Sequence, residues 1–114
     1  MISIDFKNNL LEFIFYGLFS EHTQTNIING LQIYPKSGVA FRQDLRFRKR
    51  AVYQREIMVF YQLDKADEPK RVTIIAFRLG RMKNPIRLDT TKNRRIIAEI
   101  FMNYPEKEIR DKIY

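Results

Sequence analysis

The chain of 114 residues has no Cys, a single His and a net charge of +8. Its 45% of hydrophobic residues can build the core of one domain, which excludes disorder of the whole chain. The lack of Cys and of His clusters excludes disulfides, thiolate nucleophiles and Cys- or His-rich metal sites, so we expect no metal and no cofactor. The length of the chain predicts one domain over residues 1–114.

The chain starts with a predicted strand. Ile2, Ile4 and Phe6 alternate with polar residues, which is the period of a half-buried strand. The segment MISIDFKNNL has no basic region ahead of an apolar run, so it does not resemble a signal peptide. The longest apolar stretch, FIFYGLF, is far shorter than the roughly 20 residues of a membrane span. We therefore expect a soluble cytoplasmic protein with no membrane partner.

The first predicted helix follows a cap at Asn8 or Asn9. Its apolar residues recur at helical spacing and would face the core: Leu10, Leu11, Ile14, Phe15, Leu18 and Phe19. The next stretch, SEHTQT, is polar and predicts a loop that ends in a second cap at Thr23 or Thr25.

The second predicted helix is shorter. Ile27, Ile28 and Leu31 would face inward on it, and Pro35 and Gly38 end it. The two helices would form a hairpin.

Three predicted strands follow, in the segments DLRFRKRAVYQ, REIMVFYQLD and RVTIIAFRLG. The second is apolar on both faces in its middle, as is typical of a central strand. Short connections between the three favour antiparallel pairing in a meander. The sequence thus predicts an α+β fold, in which an N-terminal strand and a helical hairpin pack on a small, mainly antiparallel sheet.

The last part of the chain predicts a basic loop, RMKNPIRLDTTKNRR, and then a C-terminal helical extension over about residues 90–114. Thr90 or Thr91 would cap a third helix. The apolar residues of this extension are Ile96, Ile97, Ile100, Phe101, Ile109 and Ile113.

The positive charge is concentrated in two segments. Residues 41–55 contain six basic residues and one acidic residue, and residues 78–95 contain seven and one. The other three parts of the chain each carry −1. A charge that served solubility alone would be spread out, so this distribution favours a polyanionic partner such as nucleic acid or an acidic protein.

The two basic segments predict a groove for a phosphodiester backbone. Arg46, Arg48 and Arg50 would share one face of their strand, and we expect that face to lie opposite the helices. The second patch starts where the last strand ends, with Arg78, Arg81, Lys83 and Arg87. Phe41, Phe47, Tyr53 and Tyr61 are candidate stacking surfaces for unpaired bases. The alternative is that arginine stems cover an open sheet face while their charged ends stay in water.

The familiar enzyme motifs are missing from the sequence. It has no P-loop, no GxGxxG, no GxSxG and no HExxH motif. Asp64, Asp67 and Glu68 predict a solvated turn rather than half of a metal loop. His22 predicts an exposed loop residue rather than a general base. The candidate functional groups in the sequence are therefore the Arg and Lys side chains of the two basic segments.

The layout resembles the RelE/ParE superfamily of bacterial toxins from toxin–antitoxin pairs, over about residues 1–86. The carriers are a first strand, a helical hairpin ending in LQIYPKSG, then DLRFRKR with REIMVFYQLD, and finally RVTIIAFRLGRMKNP. The resemblance implies either cleavage of messenger RNA in the ribosomal A site, as in RelE-like members, or inhibition of DNA gyrase, as in ParE-like members. It also implies an acidic cognate antitoxin as a partner.

For the RelE-like activity, the resemblance implies a metal-independent endoribonuclease in which the RNA 2′-OH attacks the adjacent phosphate. By position, the catalytic candidates are Arg46, Arg48, Arg55, Arg81 and Lys83. The nucleic-acid-binding candidates are Arg42, Lys49, Arg50, Tyr53, Tyr61, Arg78 and Arg87. Many ribonuclease members carry a His or Tyr soon after the last strand, and this sequence has RMKNPIRLDTTKN there. Proton transfer would then fall to Lys49, Lys83 or Tyr61, because Arg stays charged.

Besides the endoribonuclease and a cationic adaptor that binds only an acidic protein, two readings remain. One is the gyrase inhibitor, which this missing proton donor favours. The other, from a different class, is a non-catalytic basic module that binds nucleic acid with a strong dependence on salt.

Overall fold

A computed structural model describes residues 2–53 and 57–79, apart from the side chain of Leu10. The predicted C-terminal helical extension lies outside these residues. The elements in chain order are β1 (Ser3–Phe6), α1 (Asn9–Leu18), α2 (Glu21–Ile33), β2 (Val39–Ala40), β3 (Phe47–Val52), β4 (Ile57–Leu63) and β5 (Arg71–Leu79). The α+β class predicted from the sequence is confirmed.

Helix α1 forms as its pattern predicts. The side chain of Asn8 caps it by accepting a hydrogen bond from the backbone N–H of Leu11, at 2.8 Å. The helix buries one face, whose described residues are Leu11, Ile14, Phe15 and Leu18. The cap at Asn8 confirms one of the two expected positions.

Helix α2 begins earlier than predicted, so the prediction of a loop over SEHTQT is wrong. Ser20 is the cap: its hydroxyl accepts a hydrogen bond from the N–H of Thr23, at 3.3 Å. The first turn therefore starts at Glu21, and Thr23 is buried inside the helix rather than capping it. The helix ends at Ile33, two residues before Pro35.

The five strands form one sheet in the order β1-β5-β4-β3-β2. The predicted meander is confirmed, because β4 pairs antiparallel with both β3 and β5. Strand β1 pairs with β5 in parallel, and the two-residue strand β2, which the sequence did not predict, pairs antiparallel with β3. The chain therefore crosses one face of the sheet, through α1 and α2, to travel from one edge to the other.

The two faces of the sheet have different surroundings. The side chains of β4 alternate: Ile57, Val59, Tyr61 and Leu63 are buried, and the residues between them are half-buried. The buried set belongs to the core cluster that also contains the apolar residues of both helices. We call this side the helix-side face and the other side the second face. Within the part of the chain that is described, no helix is long and apolar enough to cross a membrane.

Candidate nucleic-acid interface

The arginines of β3 lie on the helix-side face, which corrects the prediction that their row lies opposite the helices. Arg48 pairs across the ladder with Tyr61, and Arg50 pairs with Val59. Directly paired residues point to the same side of a sheet, and both partners are buried in the core. The alternation was predicted correctly, but Phe47 and Ala51, which were expected to face the core, lie on the second face.

Arg48 binds the backbone of the loops beside it. Its Nε donates to the carbonyl of Leu45 at 3.0 Å, and its Nη1 donates to the carbonyls of Lys36 and Gly38, each at 3.0 Å. Three carbonyl groups that sit outside regular structure are thereby satisfied. The guanidinium ties the segment after α2 to the loop before β3, which is a structural role.

Arg50 lies directly beneath α2. A Cβ added at Gly30 would overlap the Arg50 guanidinium, so the helix approaches this side chain closely because position 30 has no side chain. The Nη1 atom is buried and has no hydrogen-bond partner among the described residues. A guanidinium covered by a helix backbone is not placed to hold a phosphate on an open sheet face.

Tyr61 is fully buried, which contradicts its predicted use as a stacking surface. Its hydroxyl donates to the carbonyl of Pro35 at 2.8 Å and accepts from the N–H of Gly38 at 3.0 Å. Burial raises the pKa of Tyr61, although the Gly38 hydrogen bond and the charges of Arg48 and Arg50 oppose the shift. The ring and the hydroxyl are both engaged inside the protein.

Tyr53 also points toward the helices. Its hydroxyl accepts a hydrogen bond from the side chain of Asn26 on α2, at 2.6 Å, and its ring packs partly against the core. Asn26 contacts the ring of His22 at 3.3 Å. His22 is exposed, as expected, but it lies on α2 rather than in a loop. Tyr53 therefore joins the end of β3 to α2.

Arg46, just before β3, is paired with Asp44. Its Nε and Nη2 both donate to the carboxylate, with Nη2 at 2.6 Å from Oδ2, and its backbone N–H donates to Oδ1. These hydrogen bonds lower the pKa of Asp44 from its ordinary 3.8 to about 2. The predicted catalytic fork of Arg46 thus already holds a carboxylate, although the side chain stays 43% exposed.

The second face carries a different set of cations. Lys49 pairs with Phe60 across the ladder, and Met58 pairs with Arg78, so both basic residues share the face of Phe60 and Met58. Both are half-buried. Lys49 and Arg78 come from opposite neighbours of the central strand, as predicted for the two patches. The residue of the first patch that faces Arg78 is Lys49, rather than Arg48 or Arg50.

Three phenylalanines lie on the Lys49 side of this face, and one of them, Phe60, is the ladder partner of Lys49. The ring of Phe41 contacts those of Phe47 and Phe60 edge-on, with centroids 6.3 and 5.3 Å apart. The exposed guanidinium of Arg42 lies 4.4 Å from the Phe47 centroid and 5.3 Å from that of Phe41. We call these rings the second-face aromatic cluster. Phe60 was missed by sequence reasoning because a continuous apolar strand gives no sign of which residues face the core.

Four of the predicted site residues lie outside the described residues: Arg55, Arg81, Lys83 and Arg87. Of the second basic patch, which was predicted to form one wall of the groove, the structure therefore describes only Arg78. In the described ranges, no cluster of three or more His, Asp or Glu side chains has a geometry that could hold a metal ion.

The arrangement offers positive charge for an anionic ligand on the second face. Lys49 and Arg78 supply positive charge on a shared face, and a guanidinium fork matches a phosphate with two hydrogen bonds. Lys49 is the described candidate for proton transfer that remains once Tyr61 is buried, because guanidinium groups stay charged.

No family model, no curated protein and no solved structure matches the chain.

Proposed function

We propose that the protein is a toxin of the RelE/ParE type, which binds messenger RNA on its second face in the ribosome and cleaves it. The observation that carries the proposal is the placement of Lys49 and Arg78 on one face of a β-meander, where Lys49 pairs with Phe60 of the second-face aromatic cluster. Cations beside half-buried aromatic rings fit a single-stranded polyanion with bases.

The order of elements supports the same proposal. The resemblance implies a strand, two helices and then an antiparallel meander with an apolar central strand. The chain has these elements in this order, and β4 is central. Order alone is shared by many proteins, so the proposal depends on the second face for its chemistry.

The reaction would need three contributions. One group accepts the proton of the RNA 2′-OH, another protonates the departing 5′ oxygen, and cations stabilise the charge that builds on the phosphate. We assign charge stabilisation to Arg78 and Lys49, and one proton transfer to Lys49. Arg81 and Lys83 are the candidates for the rest of the site, as the resemblance implies. The proposal includes action in the cytoplasm, with the ribosome and an acidic antitoxin as partners.

Induction in bacteria tests the proposal directly. Growth should stop, and mapping the 5′ ends of messages should reveal new cuts that require translation. The variant Lys49→Arg keeps the positive charge but cannot release a proton at working pH, so it should bind RNA without cutting it. Lys65→Arg makes the same change in the exposed turn after β4 and should cut normally. Cutting by Lys49→Arg would overturn the assignment of Lys49.

A second candidate function is inhibition of DNA gyrase. It is favoured by the burial of Tyr61, which leaves fewer groups able to transfer a proton than the sequence suggested. In that case growth would stop while messages stay intact, and plasmid supercoiling would fall. Lys49→Arg would then remain toxic, because no proton transfer is involved.

A small acidic reading frame next to the gene would support both toxin functions. Absence of toxicity, together with strongly salt-dependent binding of naked nucleic acid, would instead favour a non-catalytic binding module.

A further inference from the structure

The loop between β2 and β3 holds an arginine whose position the proposed reaction does not explain. Arg42 is exposed, yet its guanidinium lies over the Phe47 ring and near that of Phe41. A long side chain in water normally samples many rotamers, and contact with two rings restricts it. The planar group is therefore held close to the second face before any ligand arrives.

Asp44, the acidic residue of the same loop, does not form an ion pair with Arg42. Asp44 is bound by Arg46 through both carboxylate oxygens. Among residues 2–53 and 57–79, no carboxylate lies within ion-pair distance of Arg42. One loop thus contains two guanidinium groups near the Phe47 ring: that of Arg46, 6.0 Å from the centroid, is paired with a carboxylate, and that of Arg42, 4.4 Å from it, has no carboxylate partner among the described residues.

We propose that Arg42, supported by Phe47, is a stacking platform for one unpaired base of the RNA that binds the second face. A guanidinium plane stacks on bases as aromatic rings do, and single-stranded RNA offers unstacked bases. This inference rests on the proposed function, since it places a base beside the backbone held by Lys49 and Arg78. It adds a contact to the base, whereas the phosphate contacts carry no information about bases.

The geometry favours a base over a phosphate at this position. A phosphate would meet Arg42 as a charge, and a lysine at the same place would serve similarly. A stack of ring, guanidinium and base needs the flat shape of arginine. The exchange Arg42→Lys keeps the charge and removes the plane, so it separates the two contacts.

The test uses the full chain, a labelled single-stranded oligouridylate, and a strand of the same length that lacks bases. Affinity is measured by fluorescence anisotropy at several salt concentrations, starting from low ionic strength. The wild type should prefer the strand with bases by about tenfold, which corresponds to the stacking of one base. Arg42→Lys should lose that preference with an unchanged salt slope, because the number of cations is the same.

Two further variants complete the design. Phe47→Leu removes the supporting ring and should reduce the preference for bases while leaving the charge intact. Arg71→Lys makes the matched chemical change at an arginine that is paired with Asp5 at the β1 edge, and it should retain the preference. Circular dichroism of each variant checks that the fold is intact.

The outcomes that overturn the inference are distinct from those that overturn the proposed function. If Arg42→Lys keeps the base preference, or if the wild type binds both strands equally, the platform is wrong while RNA binding stands. If Arg42→Ala lowers only the salt slope, by about 0.7, Arg42 contacts a phosphate and the platform is wrong. If the wild type binds poly-L-glutamate and neither strand, RNA binding itself is wrong and Arg42 faces an acidic protein.

Discussion

The two faces of the sheet use the same kinds of side chain for different purposes. On the helix-side face, Arg48 binds three carbonyls and Arg50 lies beneath a helix. On the second face, Lys49 pairs with Phe60, Arg78 pairs with Met58, and Arg42 lies over the Phe47 ring at the edge. Basic residues adjacent in β3 thus differ in environment because strand side chains alternate. The consecutive basic residues Arg48, Lys49 and Arg50 therefore do not form a single site.

The comparison makes a testable distinction. Changes on the helix-side face should alter the free energy of unfolding and leave RNA binding intact in the folded protein. Changes on the second face should do the reverse. The largest loss of stability is expected where an added side chain would collide with backbone atoms of the sheet.

Gly38→Ala should destabilise the protein by about 3 kcal/mol. The added Cβ would overlap the Tyr61 hydroxyl and lie 2.8 Å from the backbone oxygen of Lys49, which cannot move aside without distorting β3. Urea unfolding measures the loss. The matched control is Gly30→Ala, where the Cβ meets only the flexible end of Arg50 and the helix gains from Ala, so a change within about 1 kcal/mol is expected. Equal losses in the two variants would contradict the distinction.

Tyr61→Phe should cost about 2 kcal/mol, because the buried N–H of Gly38 and the carbonyl of Pro35 both lose their partner. The ring itself is retained, so the core stays filled. Thermal or urea unfolding gives the loss, and anisotropy with oligouridylate in the absence of denaturant should show unchanged affinity. A stable variant with weakened RNA binding would restore Tyr61 as a base contact.

The double variant Lys49→Ala and Arg78→Ala addresses the second face. RNA affinity at low salt should fall about tenfold, and the salt slope should fall by about 1.4, since each lost phosphate contact on a single strand accounts for about 0.7. Unfolding free energy should change by less than about 1 kcal/mol. The slope is measured from binding isotherms at increasing salt.

Arg48→Ala is the control for that experiment on the other face of the same strand. It leaves three backbone carbonyls without their donor and should reduce stability by about 1–2 kcal/mol, with an unchanged salt slope. A reduced slope in Arg48→Ala would mean that the helix-side arginine reaches RNA, and the distinction between the faces would fail.

The smallest expected effect is on how the unfolding free energy depends on pH in acid. The pKa of Asp44 is about 2 in the folded chain and 3.8 ordinarily, mainly because of its hydrogen bond from the Arg46 side chain. Its contribution to stability is therefore complete above pH 3.8 and is lost as pH falls through about 2. The unfolding free energy of Asp44→Asn should converge with that of the wild type across this window. Parallel pH curves for the two proteins would contradict the pairing.

The sequence predicts much of the fold. The alternation of Ile2, Ile4 and Phe6, the cap at Asn8 and the apolar central strand each has a local cause, so each is readable from neighbouring residues. Helix α2 begins earlier than predicted because its cap is Ser20 rather than Thr23 or Thr25. The neighbouring residues do not show which of the three side chains caps the helix. Strand β2 is two residues long, too short to show a period, and the parallel pairing of β1 depends on residues far along the chain.

The candidate site was less predictable. Alternation shows that Arg48 and Arg50 share a face, but it does not say which face meets the helices. The prediction turned apolar residues of the same segment, such as Phe47 and Ala51, toward the core, because a half-buried strand usually buries its apolar side chains. It was wrong because arginine stems can line a core while their charged ends reach loop carbonyls or pack under a glycine.

The parallel pairing of β1 with β5 has a consequence for how the chain is made. Ser3 finds its ladder partner in Arg71, near the far end of the described chain. During synthesis the first strand therefore waits, with its edge unpaired, until β5 has left the ribosomal exit tunnel. Such late, long-range closure slows folding, and it keeps the sheet incomplete on the nascent chain.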